Sequence, residues 1–116
     1  FPNALFDEKG RIAFYEKSTI TSNTMLLKKG FYQLEIIGQS YPSPPINNEN
    51  AHLIIEINNN KVSDFYLSDS ENNNKIVVFE QKNEENVQIK ITFENDYFLN
   101  DKDRNAHIKE IKIKSQ

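Results

Sequence analysis

From Arg11 onward the chain alternates apolar and polar positions in short bursts separated by turn-forming clusters. The clearest burst is "VQIKITF", where Val87, Ile89, Ile91 and Phe93 alternate with Gln88, Lys90 and Thr92. That period of two marks a strand with one buried face. The same reading predicts strands in "RIAFYEK", near "TMLL", in "FYQLEIIG", "AHLIIEI", "KVSDFYL" and "KIVVFEQ", and finally in "HIKEIKIK". Between them, "KKG", "NNN" at Asn58–Asn60 and "SDSENNN" read as turns. The stretch from Gln39 to Asn50 holds three of the prolines and predicts irregular structure. No segment carries a helical stripe longer than about two turns. Seven or eight short strands with two long loops predict an all-β fold, an antiparallel β-sandwich of jelly-roll-like form.

The last strand breaks its own period. Ile108 lies on one parity and Ile111 and Ile113 on the other, so a β-bulge near Lys109–Glu110 is expected to bring all three to the core face. Residues 1–10 show no period and predict an N-terminal arm or linker stub, with a single domain over residues 11–116.

Composition agrees with strands. The 116 residues include 14 Ile, 8 Phe and 5 Tyr but no Trp, and 116 residues suffice for one modest core. Asn is used 16 times against 3 Gly, so Asn is expected to take the left-handed turn positions. The net charge of −3, with lysines spread singly, gives no nucleic-acid footprint, and no apolar run is long enough to cross a membrane as a helix. The chain starts at Phe1 without Met, which reads as a processed domain of a larger protein. With zero Cys there are no disulfides and no thiolate metal sites, and a bound ion is one remaining way to staple so small a domain. No nucleophile elbow, Cys–His pair, phosphate loop or zinc helix motif is present, and an enzyme is not expected. His52 and His107 each stand alone in a strand pattern and mark no site by themselves.

The chemistry concentrates in "FENDYFLNDKDRN", Phe93 to Asn105. Asp96 follows one strand and Asp103 precedes the next, so the two can face each other across the loop mouth. Two carboxylates about 4 Å apart repel by about 4 kcal/mol at an effective dielectric near 20. A proton, an arginine or a metal has to neutralise them, and oxygen donors without His or Cys select Ca²⁺. "DKDRN" imitates the start of an EF-hand loop, but Ala106 stands at its Gly position and Lys112 at its Glu position. Spacing alone leaves two alternatives open, an ion site or an Asx-rich loop in which Arg104 pairs with one Asp. Phe98 and Leu99 are expected to tuck this loop into the core.

"ITFENDYFLNDKDRNAHIKEIKI" resembles the C-terminal signature of the calcium-dependent, xylan-binding carbohydrate-binding modules of the family 36/60-like group. Their pattern runs hydrophobic-x-F-x-N-D, a short loop, then D-R-N-L-x-V-x-x-I. Upstream, "GFYQLEIIGQS" and "ENAHLIIEINNNKV" resemble two further strands of the group, so the likeness runs from Gly30 to Ile113. Ala106 replaces the group's Leu, Ala51 its Pro, and Asn59 its usual Gly. The resemblance implies a sandwich whose loops hold Ca²⁺, and an ion that coordinates vicinal sugar hydroxyls. It implies Asp96 and Asp103 as metal ligands and Glu49 as a third. Arg104 and Asn105 are expected to brace the loop, with Tyr41, Tyr97 and Asn105 nearest the glycan. The implied partner is a polysaccharide, bound without catalysis outside the cytoplasm, at the cell surface or in secretion. The rival expectation is a structural or protein-interaction sandwich in which calcium is only a staple.

Overall fold

The computed structural model describes residues 1–70 and 73–116. In chain order its strands are β1 Leu5–Phe6, β2 Ile12–Phe14, β3 Ser18–Thr21, β4 Met25–Leu27, β5 Gly30–Tyr41, β6 His52–Ile57, β7 Asn60–Tyr66, β8 Asn73–Gln81, β9 Glu85–Val87, β10 Ile89–Phe93, β11 Tyr97–Leu99 and β12 Lys102–Ser115. A 3₁₀ turn at Ile46–Asn48 interrupts the proline-rich loop. The fold is the expected antiparallel β-sandwich. One sheet runs β1-β2-β12-β5-β8 with β11 added to β12, the facing sheet runs β3-β10-β6-β7, and β4 and β9 form a small ribbon. The expected turn over 68–74 includes residues 71 and 72, which lie outside the described residues.

Alternation decides the layers. In β10, Ile89, Ile91 and Phe93 are buried while Lys90 and Thr92 are half-exposed. β5 and β6 contribute Leu34, Ile36, Leu53 and Ile55, all fully buried, and Phe14 meets Phe93 edge-on at 6.1 Å between centroids. Each such side chain contributes about 1.5–3 kcal/mol by leaving water. The strand expected in Arg11–Lys17 is β2 over Ile12–Phe14, and β3, which starts just beyond it at Ser18, lies in the other sheet. Phe14 and Ile20 both face the core, and the bend over 15–17 carries the chain from one layer to the other.

Two hairpins use left-handed asparagine or aspartate at both turn positions: Asn58 and Asn59 (φ 49° and 67°), then Asn100 and Asp101 (φ 50° and 63°). That is the backbone a two-residue hairpin needs to match strand twist. The expected bulge is present, because Ile108 pairs with Gly38 and Glu110 with Ile37, leaving Lys109 as the extra residue. Ile108 is buried, and Ile111 and Ile113 pack against the same core.

Within the first ten residues, Leu5 and Phe6 pair with Ala13 and Ile12. Asp7 then fastens this edge to the sheet. Its Oδ2 accepts from Arg11 Nε at 2.8 Å and lies 2.7 Å from His107 Nδ1, while its Oδ1 accepts from the backbone N–H groups of Lys9 and Arg11. Burial alone would push the Asp7 carboxyl up, but the Arg11 backbone and side chain, His107 and the Lys9 backbone outweigh it and hold it well below the usual carboxylate range. For His107, burial outweighs the Asp7 contact and pushes the imidazole below its ordinary value.

Two predictions follow from this frame. A Cβ on Gly38 would lie 2.8 Å from the backbone oxygen of His107, beside the bulge, where the ladder cannot give way. Gly38→Ala is expected to cost about 1–3 kcal/mol, read as a lowered midpoint in thermal or urea unfolding. The unfolded chain binds protons at Asp7 and His107 at higher pH than the folded one does, so both contribute stability that is lost on acidification. The His107 share fades as pH falls below about 6.5 and the Asp7 share below about 4, the ordinary values for these groups. Asp7→Asn is expected to lower stability at neutral pH and flatten the acid limb of stability against pH; an unchanged acid limb would exclude this role.

Candidate functional site at the loop end

The β11–β12 hairpin and the proline-rich loop meet at one end of the sandwich, and Arg104 joins them. It is buried in β12, and it donates from Nε to Glu49 O (3.1 Å), from Nη1 to Asn95 O (2.8 Å) and from Nη2 to Ile46 O (3.1 Å). Its ion pair is with Glu49, at 3.4 Å, and its guanidinium lies 5.4 Å from the centre of the Tyr97 ring. Asn95 makes the second tie. Its Oδ1 accepts from His52 N at 2.7 Å, and its Nδ2 donates to Asn50 O and Glu49 Oε1, both at 2.9 Å. The sequence signal for Asn95 is its place in "FEND".

Asp96 and Asp103 lie near enough for the charge of Asp103 to act on Asp96. Burial pushes the Asp96 carboxyl above its ordinary value, and the charge of Asp103 adds to this, with Glu16 contributing more weakly; the Tyr97 backbone N–H and Arg104 act the other way. Negative groups from β11's start, from β12 and from the β2–β3 bend thus bear on one point. Glu16 had no sequence signal, since it reaches the site from eighty residues upstream. The Asn105 amide, turned so that its nitrogen faces acceptors, donates to Asp103 Oδ2 at 3.1 Å and to Arg104 O at 3.0 Å. Glu49 stands apart, its carboxylate shared between Asn95 and Arg104. Among the described residues no three His, Cys, Asp or Glu side chains converge closely enough to hold a metal unaided. The two carboxylates are oxygen donors of the kind a hard cation takes, with no His or Cys among the groups that act on Asp96.

The aromatic residues divide. Tyr97 is half-exposed at the hairpin. Phe98 and Leu99 do not tuck into the core; they are 63% and 38% exposed. β11 pairs only with the outer end of β12, so the hairpin projects past the facing sheet and leaves these side chains nothing to pack under. Tyr41 lies on the outer sheet face, where its hydroxyl donates to Gln39 Oε1 and accepts from Arg11 Nη1, both at 3.1 Å, and its ring meets His107 edge-on at 4.9 Å. Tyr15, missed in the sequence, packs edge-on against His107 from the other side. Tyr15, Tyr41, Asn105 and His107 are walls of a groove of about 540 Å³. Asn105 therefore touches both Asp103 and the groove.

His52, on the other sheet, contacts Glu94 through Nδ1 and Asp64 Oδ1 through Nε2 at 3.0 Å, with its ring against Tyr66. These contacts join β6 and β7 to Glu94, just past the end of β10.

Comparison with known proteins agrees with this architecture. No curated protein matches the chain at a significant level. The fold is similar to the crystal structure of the CBM36-1 domain of a multidomain xylanase from the hindgut metagenome of Trinervitermes trinervoides, with a TM-score of 0.70 and 19% identity, over 98% of this chain and 85% of that one. The model of the family CBM60, described as a Ca-dependent, xylan-binding carbohydrate-binding module, matches residues 37–116, which include the proline-rich loop, both hairpins and the whole of β12. The chain belongs to that family of noncatalytic carbohydrate-binding modules.

Proposed function

We propose that this module binds a xylan-type polysaccharide through a Ca²⁺ held at the loop end, with Asp96 and Asp103 as its carboxylate ligands. The observation that carries the reading is the setting of Asp96 at the head of the hairpin, where desolvation and then the charges of Asp103 and Glu16 push its carboxyl above the ordinary value despite the Tyr97 N–H and Arg104. Glu49, whose carboxylate is shared with Asn95 and Arg104, is the third and weakest member of the proposed set. Bound there, Ca²⁺ would supply coordination positions for neighbouring hydroxyls of a sugar. The chain's own residues do the rest. Arg104 and Asn95 hold the two loops at a fixed separation, and Asn105 orients Asp103. Tyr97 and Tyr41 offer ring surface beside the ion position, and Tyr15 extends it along the groove. Family membership and the likeness to a xylanase domain support an extracytoplasmic module attached to a larger polysaccharide-acting protein.

The test combines unfolding with affinity electrophoresis in xylan gels, each in Ca²⁺ and in EDTA. A ligand at about 100 times its Kd stabilises by about 2.7 kcal/mol, so Ca²⁺ is expected to raise the melting temperature by several degrees. Protons compete at Asp96, so this gain should shrink as pH falls through the acid range. Asp103→Ala is expected to abolish both the shift and the retardation by xylan. A calcium-dependent shift without retardation by xylan or related polysaccharides would favour the structural-staple reading, and retardation that survives EDTA would exclude the ion from recognition.

A further inference from the structure

Phe98 is 63% exposed, and the site described above does not use it. A single exposed apolar residue means little by itself. What gives this one meaning is its place in the ladder. β11 and β12 pair Phe98 directly with Asp103, and Tyr97 with Arg104. Directly opposed residues of an antiparallel pair share a face, with Cβ atoms about 5 Å apart. Alternation along β12 says which face this is. Arg104, Ala106 and Ile108 are buried and point inward, so Asp103, Asn105 and His107 take the outer face.

Phe98 therefore stands on the outer face beside Asp103. Asn105 follows on that face, its amide donating to Asp103 Oδ2 at 3.1 Å, and it pairs with Tyr41 of β5. The Tyr15–Tyr41 groove begins at this point, with Asn105 in its wall. Phe98, Asp103, Asn105 and the groove thus form one row. From Asp103 to His107 it runs about 13 Å along β12, at about 3.3 Å per residue.

The hairpin's two aromatic rings are placed differently. The Tyr97 ring has the Arg104 guanidinium 5.4 Å from its centre, so one side of it is already covered. Among the described residues no aromatic ring lies against Phe98. Its position is fixed all the same. The left-handed pair Asn100 and Asp101 closes the hairpin on one side of it, and Arg104 anchors the strand opposite through three carbonyls. A braced hairpin, rather than packing of its own, sets the phenyl ring in water next to Asp103.

We propose that Phe98 stacks on the sugar ring whose hydroxyls the ion holds, at the hairpin end of a chain that continues along β12 into the groove. This rests on the calcium and polysaccharide reading above and adds a residue that selects for the face of the sugar. An ion grips hydroxyls at the edge of a sugar and leaves both faces of its ring in water. A phenyl group beside the ion can cover one of them. It offers no hydrogen bond, so it favours a face of C–H bonds through dispersion and exclusion of water. A sugar with polar groups projecting from that face gains nothing from it.

The experiment is isothermal titration with xylohexaose in Ca²⁺, comparing Phe98→Ala, Phe98→Leu and Phe98→Tyr with the wild type. Phe98→Ala is expected to weaken binding about five-fold. Phe98→Leu is expected to weaken it nearly as much, because it keeps apolar bulk but not a flat ring, and Phe98→Tyr to change it little. The Ca²⁺-dependent melting shift is expected to be the same in every variant, since the Phe98 side chain offers the ion no donor. Unchanged affinity in Phe98→Ala, with Ca²⁺-dependent binding intact, overturns this inference and leaves the polysaccharide reading standing. Full affinity in Phe98→Leu overturns it as well, by reducing the residue to apolar cover. A lost melting shift in Phe98→Ala does the same, by placing its effect on the ion. If the wild type does not bind xylohexaose in Ca²⁺, both readings fail together.

Discussion

Arg104 loses most of its water in β12 and recovers it as three hydrogen bonds to the carbonyls of Ile46, Glu49 and Asn95. A buried guanidinium without such partners is strongly unfavourable, so the carbonyls have to stay where the fork can reach them. This requirement sets the position of everything at the loop end. The proline-rich loop cannot lift from the hairpin without exposing an unpaired cation in a dry place. The hairpin in turn carries Asp96 and Asp103. The charge of Asp103 adds to the desolvation that raises the Asp96 carboxyl, and Arg104 offsets part of it.

The sheet beneath has a similar economy of ties. Ser40, fully buried at the end of β5, receives the N–H of Ala51 on its Oγ at 2.8 Å, and Ala51 O accepts from Leu67 N. The proline usual in the family at this point has no N–H to give. Ala51 is therefore more than a loss of turn rigidity: it supplies a donor that answers a buried hydroxyl. Asp7 performs a matching task near the N-terminus, collecting Arg11, His107 and two backbone N–H groups. Such polar ties fix long-range packing in a chain with no disulfide.

Strand positions were legible because burial on one face writes a period of two, and "VQIKITF" shows it without interruption. The Asn58–Asn59 turn was legible from residue type alone, and the parity break at Ile108 announced the bulge. The acidic pair could be read because both members border one short loop. What could not be read were contacts between distant segments. The charge of Glu16 reaches Asp96 only through the folded arrangement of segments eighty residues apart. The partners of Arg104 include a carbonyl fifty-eight residues away, and carbonyls have no residue-type signature. Phe98 misled for a related reason: apolarity predicts burial only where a second layer exists to cover it, and β11 extends past that layer.

The bulge in β12 has a consequence of its own. Taken as a two-letter code of inward and outward positions, the strand reads regularly through Ile108, and it reads regularly again from Glu110 with Ile111 and Ile113 inward. Lys109 is one letter outside that code. Its side chain lies outside the inward–outward alternation, so the core pattern resumes past it without losing a buried position.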